Sequence, residues 1–276
     1  MLSQIKNEFK KKGIVKFENI FDSNELAKIR NSIEKKFAKD KQNYIQFDEW
    51  SGFPELVNFL FKNEKLISSI KSIYDNPIFF PDFVIQVENY TKHIVPHQDL
   101  QSFYRFGDRR ELKDMQYSKI GLYLQDSSEE NPTSIYAAEG SHCNFLTMIA
   151  NNLPIFGYKF LKLTKKIIFN SSKKLIPVKS GDILFFDGQV MHSTVPGYQN
   201  PKKPKINIYF SCLGNRKSLF PLLRSELLKF HSELYEKENT KDLSLRHQRN
   251  YILSNPFKNL DFKSIRLLKK DNFFIF

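Results

Sequence analysis

Cysteine and long apolar runs are both scarce in this sequence. Its 276 residues contain two cysteines, Cys143 and Cys212, and no C-x-x-C pair. A disulfide framework is therefore excluded, and a reducing compartment, the cytoplasm, is expected. No stretch approaches the ~18 apolar residues of a membrane-spanning helix, and the charged start lacks the apolar run of a signal peptide. We expect a soluble protein without a transmembrane segment.

Acidic residues are outnumbered by basic ones. Asp and Glu number 30 against 43 Lys and Arg, which gives a formal net charge of +13 and would attract phosphates, carboxylates or acidic lipid. The lysines are spread along the whole chain among many Asn, Ile and Phe, as a compositional bias would also produce. We therefore expect a small-molecule substrate rather than nucleic acid, and leave contact with a membrane surface open. The oligomeric state is not predicted.

The sequence pattern changes near residue 78. Before it, residues 4–12 predict a short charged helix, GIVKFENIF predicts a strand, and Asp22 with Glu25 predicts a capping box at the start of another helix. After it come short runs rich in Val, Ile, Phe and Tyr, separated by turn residues. These runs are FFPDFVIQVENY, KIGLYLQD, SIYAAEGS, KLIPV, DILFFDG and KINIYFSC.

Several short strands at irregular spacing favour a β-sandwich or barrel over repeated βαβ units. We predict a mainly β protein with flanking helices and a double-stranded β-helix core, the cupin-like jelly-roll. A single domain is expected over residues 1–276, with an N-terminal strand and helices in 1–75 and the jelly-roll core at about 78–212. Residues 213–276 are expected to form a C-terminal helical extension.

Three residues have the chemistry of a non-haem iron site. Such a site needs two neutral imidazoles and a carboxylate on one side of the metal, with open positions for an organic acid and dioxygen. His97 and Asp99 stand two apart, so both side chains point to the same side of an extended strand. His192 follows GDILFFDGQVM, a buried-strand pattern that begins at a predicted turn, Gly181–Asp182. Taken singly, each histidine also fits an ordinary surface residue, and Asp99 also fits a turn cap.

Four segments in order resemble the phytanoyl-CoA dioxygenase family, which includes ectoine hydroxylase-like members. They are GIVKFENIFDSNELAKIR, PHQDL, LQDSSEENPTSIYAAEGSH and VKSGDILFFDGQVMHSTVPGYQN, within about residues 10–212. The resemblance implies a jelly-roll oxygenase that uses iron(II), 2-oxoglutarate and dioxygen, with His97, Asp99 and His192 as metal ligands. Hydroxylation of an unactivated C–H bond is the expected outcome, because halogenating relatives replace the carboxylate at the position of Asp99 with a small residue.

The sequence departs from this family where 2-oxoglutarate binds. The family usually has an arginine near the start of the last core strand, which pairs with the far carboxylate of 2-oxoglutarate. Here NPKKPKINIYF offers Lys205 as the preferred equivalent and Lys203 as its competitor, and a lysine holds a carboxylate only as a point charge. A solvated lysine in a basic loop is the alternative. Thr194 stands where the family commonly offers a small hydroxyl to the same acid, and His142 is interpreted as structural.

Two segments would border the open metal positions in this fold. The first, LQSFYRFGDRRELKDMQYSK, contains Arg105, Arg109 and Arg110, which suggest an anionic substrate group because a guanidinium binds carboxylates and phosphates bidentately. Pairing with acidic neighbours in the same loop is the alternative. The second segment, residues 143–176, includes FLKLTKKIIF and is expected to be a lid, an added hairpin or a contact with a membrane surface.

Other classes of function stay open. A jelly-roll that keeps the ligand pattern without turnover would be a binding protein, which is consistent with the missing arginine. A protein that acts on nucleic acid or at a membrane surface would use the positive charge, and its binding would depend strongly on salt. The same three metal ligands also serve desaturation, ring formation and epimerisation, so these outcomes stay open beside hydroxylation, and the substrate is not predicted.

Overall fold

The computed structural model describes most of the N-terminal segment and the predicted core. The described residues are 2–40, 54–75, 77–88, 90–91, 96–99, 116–128, 133–143, 158–195, 197–198 and 205–214. The predicted C-terminal extension lies outside them apart from its first two residues, and Arg105, Arg109, Arg110 and Lys203 lie outside them as well.

The described elements are mainly strands, with helices before and between them. The α-helices are α1 (Leu2–Lys12), α2 (Ser23–Asp40), α3 (Pro54–Phe61), α4 (Glu64–Ile73) and α5 (Tyr158–Ser172). The strands are β1 (Ile14–Phe17), β2 (Ile78–Glu88), β3 (Tyr90–Thr91), β4 (Tyr117–Tyr123), β5 (Ile135–Ala138), β6 (Lys173–Ile176), β7 (Ile183–Asp187), β8 (His192–Thr194), β9 (Gly197–Tyr198) and β10 (Lys205–Leu213). Each predicted strand run contains a strand, so the mainly β fold is confirmed.

Side-chain caps start two of the helices. The Asp22 carboxylate accepts hydrogen bonds from the N–H groups of Asn24 (2.8 Å) and Glu25 (3.4 Å) before α2, as the predicted cap requires. Asn63 accepts from the Leu66 N–H (2.8 Å) at the start of α4. These contacts satisfy N–H groups that a helix leaves without an internal partner.

The large sheet has five strands in the order β1-β7-β4-β10-β2, and all its pairings are antiparallel. The register between β10 and β2 shifts between Tyr209 and Ser211, opposite the part of β2 that contains Pro81. Proline cannot donate to a strand ladder. It is accommodated here because β2 lies at the edge of the sheet formed by the described strands and has an irregularity at that point.

A three-stranded sheet in the order β6-β5-β8 faces the large sheet, and β3 pairs separately with β9. One cluster of buried apolar side chains joins the two larger sheets. It takes Ile14, Leu184 and Phe186 from the large sheet and Ile135 and Ala137 from the small one. Two antiparallel sheets packed around a shared core form the predicted jelly-roll.

The N-terminal helices cover the outer face of the large sheet. Phe9 of α1 and Tyr74, just after α4, pack edge-on against Phe185, with ring centroids 5.3 and 5.6 Å from that of Phe185. Phe185 alternates along β7 with Phe186, which faces the shared core. The interior between the sheets is therefore separate from the helical layer.

Helix α5 covers the outer face of the small sheet. The prediction of an added hairpin over FLKLTKKIIF was wrong, because residues 158–172 are helical. Consecutive side chains of α5, Ile168 and Phe169, both pack against Ala138 and Met191 of the small sheet. A helix permits this arrangement, whereas alternation along a strand would turn one of the two away. No helix among the described residues is long and apolar enough to cross a membrane.

A tight turn fixes the entry of β7, as predicted. Gly181 has a φ of +88°, and a Cβ atom there would lie 2.7 Å from the carbonyl oxygen of Phe21, so only glycine fits without strain. The buried carboxylate of Asp182 accepts hydrogen bonds from the N–H groups of Lys179 (2.9 Å) and Asn19 (3.2 Å). This turn positions β7, whose far end leads to His192.

Candidate metal centre

His192 begins β8, just after the chain passes from the large sheet to the small one. Strand β7 ends at Asp187, whose carboxylate accepts from the Gln189 N–H (2.8 Å) and whose carbonyl accepts from the Val190 N–H (2.9 Å). Strand β8 then pairs with β5, and His192 lies opposite Ala137. Because Ala137 belongs to the core between the sheets, the His192 side chain faces that interior.

His97 is held beside His192 by backbone hydrogen bonds. The N–H of each residue donates to the carbonyl of the other, and both donor–acceptor distances are 3.0 Å. Such an exchange makes the two residues directly opposite partners on neighbouring extended segments. The two imidazole centroids are 4.3 Å apart. The backbone thus brings together two histidines that are distant in the sequence.

Asp99 completes the group. Its Oδ1 lies 3.7 Å from Nε2 of His97 and 3.7 Å from Nε2 of His192, and the candidate ligand atoms of the three residues all lie within 4.8 Å of one another. The exposed fraction of the side chain falls from 38% for His97 to 20% for Asp99 and 10% for His192. The centre is therefore approached from the side of His97.

Neighbouring groups orient two of the residues in this region. The Nδ1 of His192 lies 3.0 Å from the carbonyl oxygen of Val190, which can accept only if Nδ1 carries the proton. The lone pair of His192 is then on Nε2, the atom that faces Asp99. Gln98, between His97 and Asp99, donates through its amide to the carbonyl of Gln189. This contact ties the His97–Asp99 segment to the turn that precedes His192.

The residues fit a divalent metal ion of the non-haem iron type. Asp99 Oδ2 is buried and has no hydrogen-bond partner within the described part of the chain, although a buried carboxylate oxygen ordinarily has one. Two imidazoles and one carboxylate are the donor set that binds iron(II) on one side and leaves other positions open. A cation between the three side chains would satisfy the buried carboxylate.

Thr194 and Lys205 both lie on the inner faces of the sheets. Thr194 is two residues after His192 in β8 and shares its face. Asn207 lies opposite Tyr123, which belongs to the shared core, so strand alternation places Lys205 on that inner face as well. Lys205 is fully buried and is therefore not a solvated lysine in a basic loop. A buried ammonium requires anionic or hydrogen-bonding partners.

A series of hydrogen-bonded polar side chains, partly buried at Arg30 and Gln125 and buried at Asn207 and Tyr209, holds the start of β10 and was missed by sequence reasoning. The Gln125 carbonyl oxygen accepts from Arg30 Nη1 (2.7 Å) and from the N–H of Ile206 (2.8 Å). The Gln125 amide donates to Asn207 (3.1 Å), whose own amide donates to the hydroxyl of Tyr209 (3.2 Å). The only sequence signal was the presence of polar residues at the inner positions of strand-like runs.

His142 is not in the candidate metal group. Its Nε2 lies 3.1 Å from the carbonyl oxygen of Lys10, and its ring would be 2.5 Å from a Cβ atom built on Gly13. These contacts join the turn after β5 to the end of α1. The interpretation of His142 as structural is consistent with this position.

No family model matches the sequence, and no curated protein matches it. Several solved structures match its fold. HygX from Streptomyces hygroscopicus with nickel and 2-oxoglutarate bound gives a TM-score of 0.58 at 16% identity, covering 77% of this chain and 86% of its own. The non-heme alpha ketoglutarate dependent epimerase SnoN from nogalamycin biosynthesis gives 0.56 at 12%, with 77% and 83% covered.

EvdO2 from Micromonospora carbonacea var. aurantiaca, complexed with 2-oxoglutarate, gives a TM-score of 0.54 at 14% identity, covering 77% of this chain and 90% of its own. At such identities the likeness concerns the fold. The chain has the jelly-roll fold of enzymes whose solved structures contain 2-oxoglutarate and a metal ion.

Proposed function

We propose that this protein is an iron(II)- and 2-oxoglutarate-dependent oxygenase that acts on a small molecule. The observation that carries the proposal is the convergence of His97, Asp99 and His192 around a buried carboxylate oxygen without a hydrogen-bond partner among the described residues. The fold shared with SnoN, HygX and EvdO2 supports it. We also propose that the protein belongs to the phytanoyl-CoA dioxygenase family and that it acts in the cytoplasm.

In this proposal each residue of the centre has a defined task. His97 and His192 bind iron(II) through Nε2, and Asp99 binds it through its carboxylate. The Val190 carbonyl keeps the proton of neutral His192 on Nδ1, so that the lone pair of Nε2 is available to the metal. Iron(II), 2-oxoglutarate and dioxygen, when bound together, supply the oxidation of an unactivated C–H bond with release of succinate and carbon dioxide.

Lys205 and Thr194 hold 2-oxoglutarate in this proposal. Lys205 is buried on the inner face of the large sheet, and Thr194 lies on the same face of β8 as His192. An ammonium in a dry interior attracts the far carboxylate strongly but cannot form the bidentate contact of an arginine. The Thr194 hydroxyl donates to the same acid.

Hydroxylation is the outcome we propose, with Arg105 and Arg109 binding an anionic group of the substrate. Epimerisation or ring formation is the second candidate, because the structural matches include the epimerase SnoN and the carbocyclase SnoK. A jelly-roll binding protein without turnover is the third. Succinate formation from 2-oxoglutarate separates an enzyme from a binding protein, and incorporation of ¹⁸O from dioxygen into the product separates hydroxylation from the other two oxidations.

The proposal is tested by anaerobic titration of the metal-free protein with iron(II) and then 2-oxoglutarate. We expect a visible absorption band when 2-oxoglutarate chelates protein-bound iron(II), and loss of the band in His192→Ala. Iron binding without the band would contradict the role of Lys205 and Thr194. Absence of iron binding would contradict the oxygenase itself.

A further inference from the structure

Three large apolar side chains are exposed in the described part of the chain, and all three lie in α5 and β6. Leu163 is 56% exposed, Ile167 is 59% exposed and Leu175 is 50% exposed. Leu163 and Ile167 are four residues apart on α5 and share one helix face. Single exposed apolar residues are ordinary, but their restriction to one helix and the strand that follows it indicates an interaction surface.

The same segment is rich in lysine and lacks acidic residues. Between Glu139 and Asp182 the sequence contains no Asp or Glu. It contains the lysines Lys159, Lys162, Lys165, Lys166, Lys173, Lys174 and Lys179. Lys166 is exposed and is three residues after Leu163, so it lies beside Leu163 on the helix surface. A positive group thus flanks the exposed apolar pair.

The segment is firmly attached to the small sheet by its opposite side. Phe169 is 1% exposed and packs with Ala138 and Met191. The Lys173 ammonium lies 5.9 Å from the centroid of the Phe169 ring and 5.1 Å from that of Tyr136, within the range of a cation–π contact. The exposure of Leu163 and Ile167 therefore does not result from a detached helix.

We propose that Leu163, Lys166, Ile167 and Leu175, here called the α5 surface, dock onto an anionic lipid membrane. A helix with apolar side chains and flanking lysines lies in the plane of a lipid interface, where its apolar groups enter the acyl region and its ammonium groups meet anionic headgroups. A second copy of the chain is a poor occupant, because two lysine-rich surfaces without acidic residues repel. Nucleic acid would use the lysines but leave the apolar side chains in water. The inference does not depend on the metal centre.

The test is co-sedimentation of the full-length protein with lipid vesicles. We expect binding to vesicles of phosphatidylcholine mixed with phosphatidylglycerol, much weaker binding to phosphatidylcholine alone, and a decrease as sodium chloride is raised. Leu163→Ser combined with Ile167→Ser should weaken binding about tenfold or more, since two half-exposed apolar side chains are removed. Lys166→Glu should weaken it about tenfold.

Lys28→Glu is the matched control, because it makes the same charge change at an exposed position of α2. It should leave vesicle binding unchanged. Absence of binding to anionic vesicles, equal binding to both vesicle types, or equal effects of Lys166→Glu and Lys28→Glu would overturn the proposal. Light scattering that shows a dimer, lost in the Leu163→Ser, Ile167→Ser variant, would assign the surface to a second copy instead.

Discussion

His97 and His192 exchange two backbone hydrogen bonds of 3.0 Å each, and these bonds set the spacing of their imidazoles. The backbone can therefore prepare the centre before iron binds. Preorganised ligands lose little conformational freedom on binding a metal, which favours affinity. Asp99 differs from the two histidines, because its Oδ2 is buried without a hydrogen-bond partner among the described residues.

Replacing Asp99 should abolish stabilisation by iron(II) without lowering the stability of the metal-free protein. We expect Asp99→Ala, measured without metal near pH 8, to be as stable as the natural chain or more stable by about 1 kcal/mol, because an unsatisfied buried carboxylate is removed. Iron(II) should raise the melting temperature of the natural chain and not that of the variant. Urea unfolding with and without metal measures both effects. A metal-free variant that is markedly less stable would show that the carboxylate has a structural partner.

Replacing Lys205 should weaken 2-oxoglutarate binding. Lys205→Met keeps the length of the side chain and removes its charge, and we expect KM for 2-oxoglutarate to rise roughly 10- to 100-fold, the value of one charge-assisted hydrogen bond. Lys205→Arg should restore most of the affinity. Succinate formation against 2-oxoglutarate concentration gives KM, and direct titration gives Kd. Equal constants for Lys205→Met and the natural chain would exclude Lys205 and favour Lys203.

Replacing Gln125 should loosen the start of β10. Its side chain contacts Arg30, the Ile206 N–H and Asn207, and removing it leaves buried partners unsatisfied. We expect Gln125→Ala to lower the free energy of unfolding by about 1–3 kcal/mol. Gln4→Ala, at an exposed position of α1, is the control and should change it by less than about 0.5 kcal/mol. Equal effects of the two variants would show that the hydrogen bonds of Gln125 do not stabilise the fold.

Asp187 should make stability depend on pH. Burial raises the pKa of Asp187 from 3.8 to about 6, although the N–H of Gln189 and His142 act to lower it. The protonated form is thus favoured in the folded protein. The contribution of the protonated Asp187 carboxyl to the free energy of unfolding is fully present below the unfolded pKa of 3.8. It is lost as pH rises through the folded pKa of about 6.

Asp187→Asn should remove this dependence. Its Oδ1 can still accept from the Gln189 N–H, and we expect the variant to gain about 3 kcal/mol relative to the natural chain between acidic and neutral pH. Parallel urea titrations across that pH range measure the difference. A difference that is constant with pH would contradict the raised pKa.

The strands were predictable because apolar residues alternate along them. In β10, for example, Ile206, Ile208 and Phe210 recur at every second position, on the face opposite Lys205 and Asn207. KIGLYLQD and KINIYFSC became β4 and β10, and the turn at Gly181 was visible as a glycine before a buried run. Helix α5 was not predictable in this way. Its residues have ambiguous propensity, and the packing of Ile168 and Phe169 on the small sheet decides the helix.

The candidate ligands were identified from their residue types and their order in the sequence. The backbone pairing that brings His97 beside His192 was not. The His97–His192 bridge depends on how two distant segments meet, and the Gln125–Asn207 contact depends on the register of β4 against β10. Neither can be read from local pattern, because pairing register is set by tertiary packing. The burial of Lys205 was likewise invisible in a sequence where lysine is abundant.

The most direct test of the metal centre is the number of iron(II) ions bound per chain under anaerobic conditions. We predict one ion for the natural chain and for His142→Ala, a histidine variant outside the group, and none bound tightly by His97→Ala, Asp99→Ala or His192→Ala. Unchanged iron binding in these three variants, or equal loss in His142→Ala, would contradict the assignment of the centre to His97, Asp99 and His192.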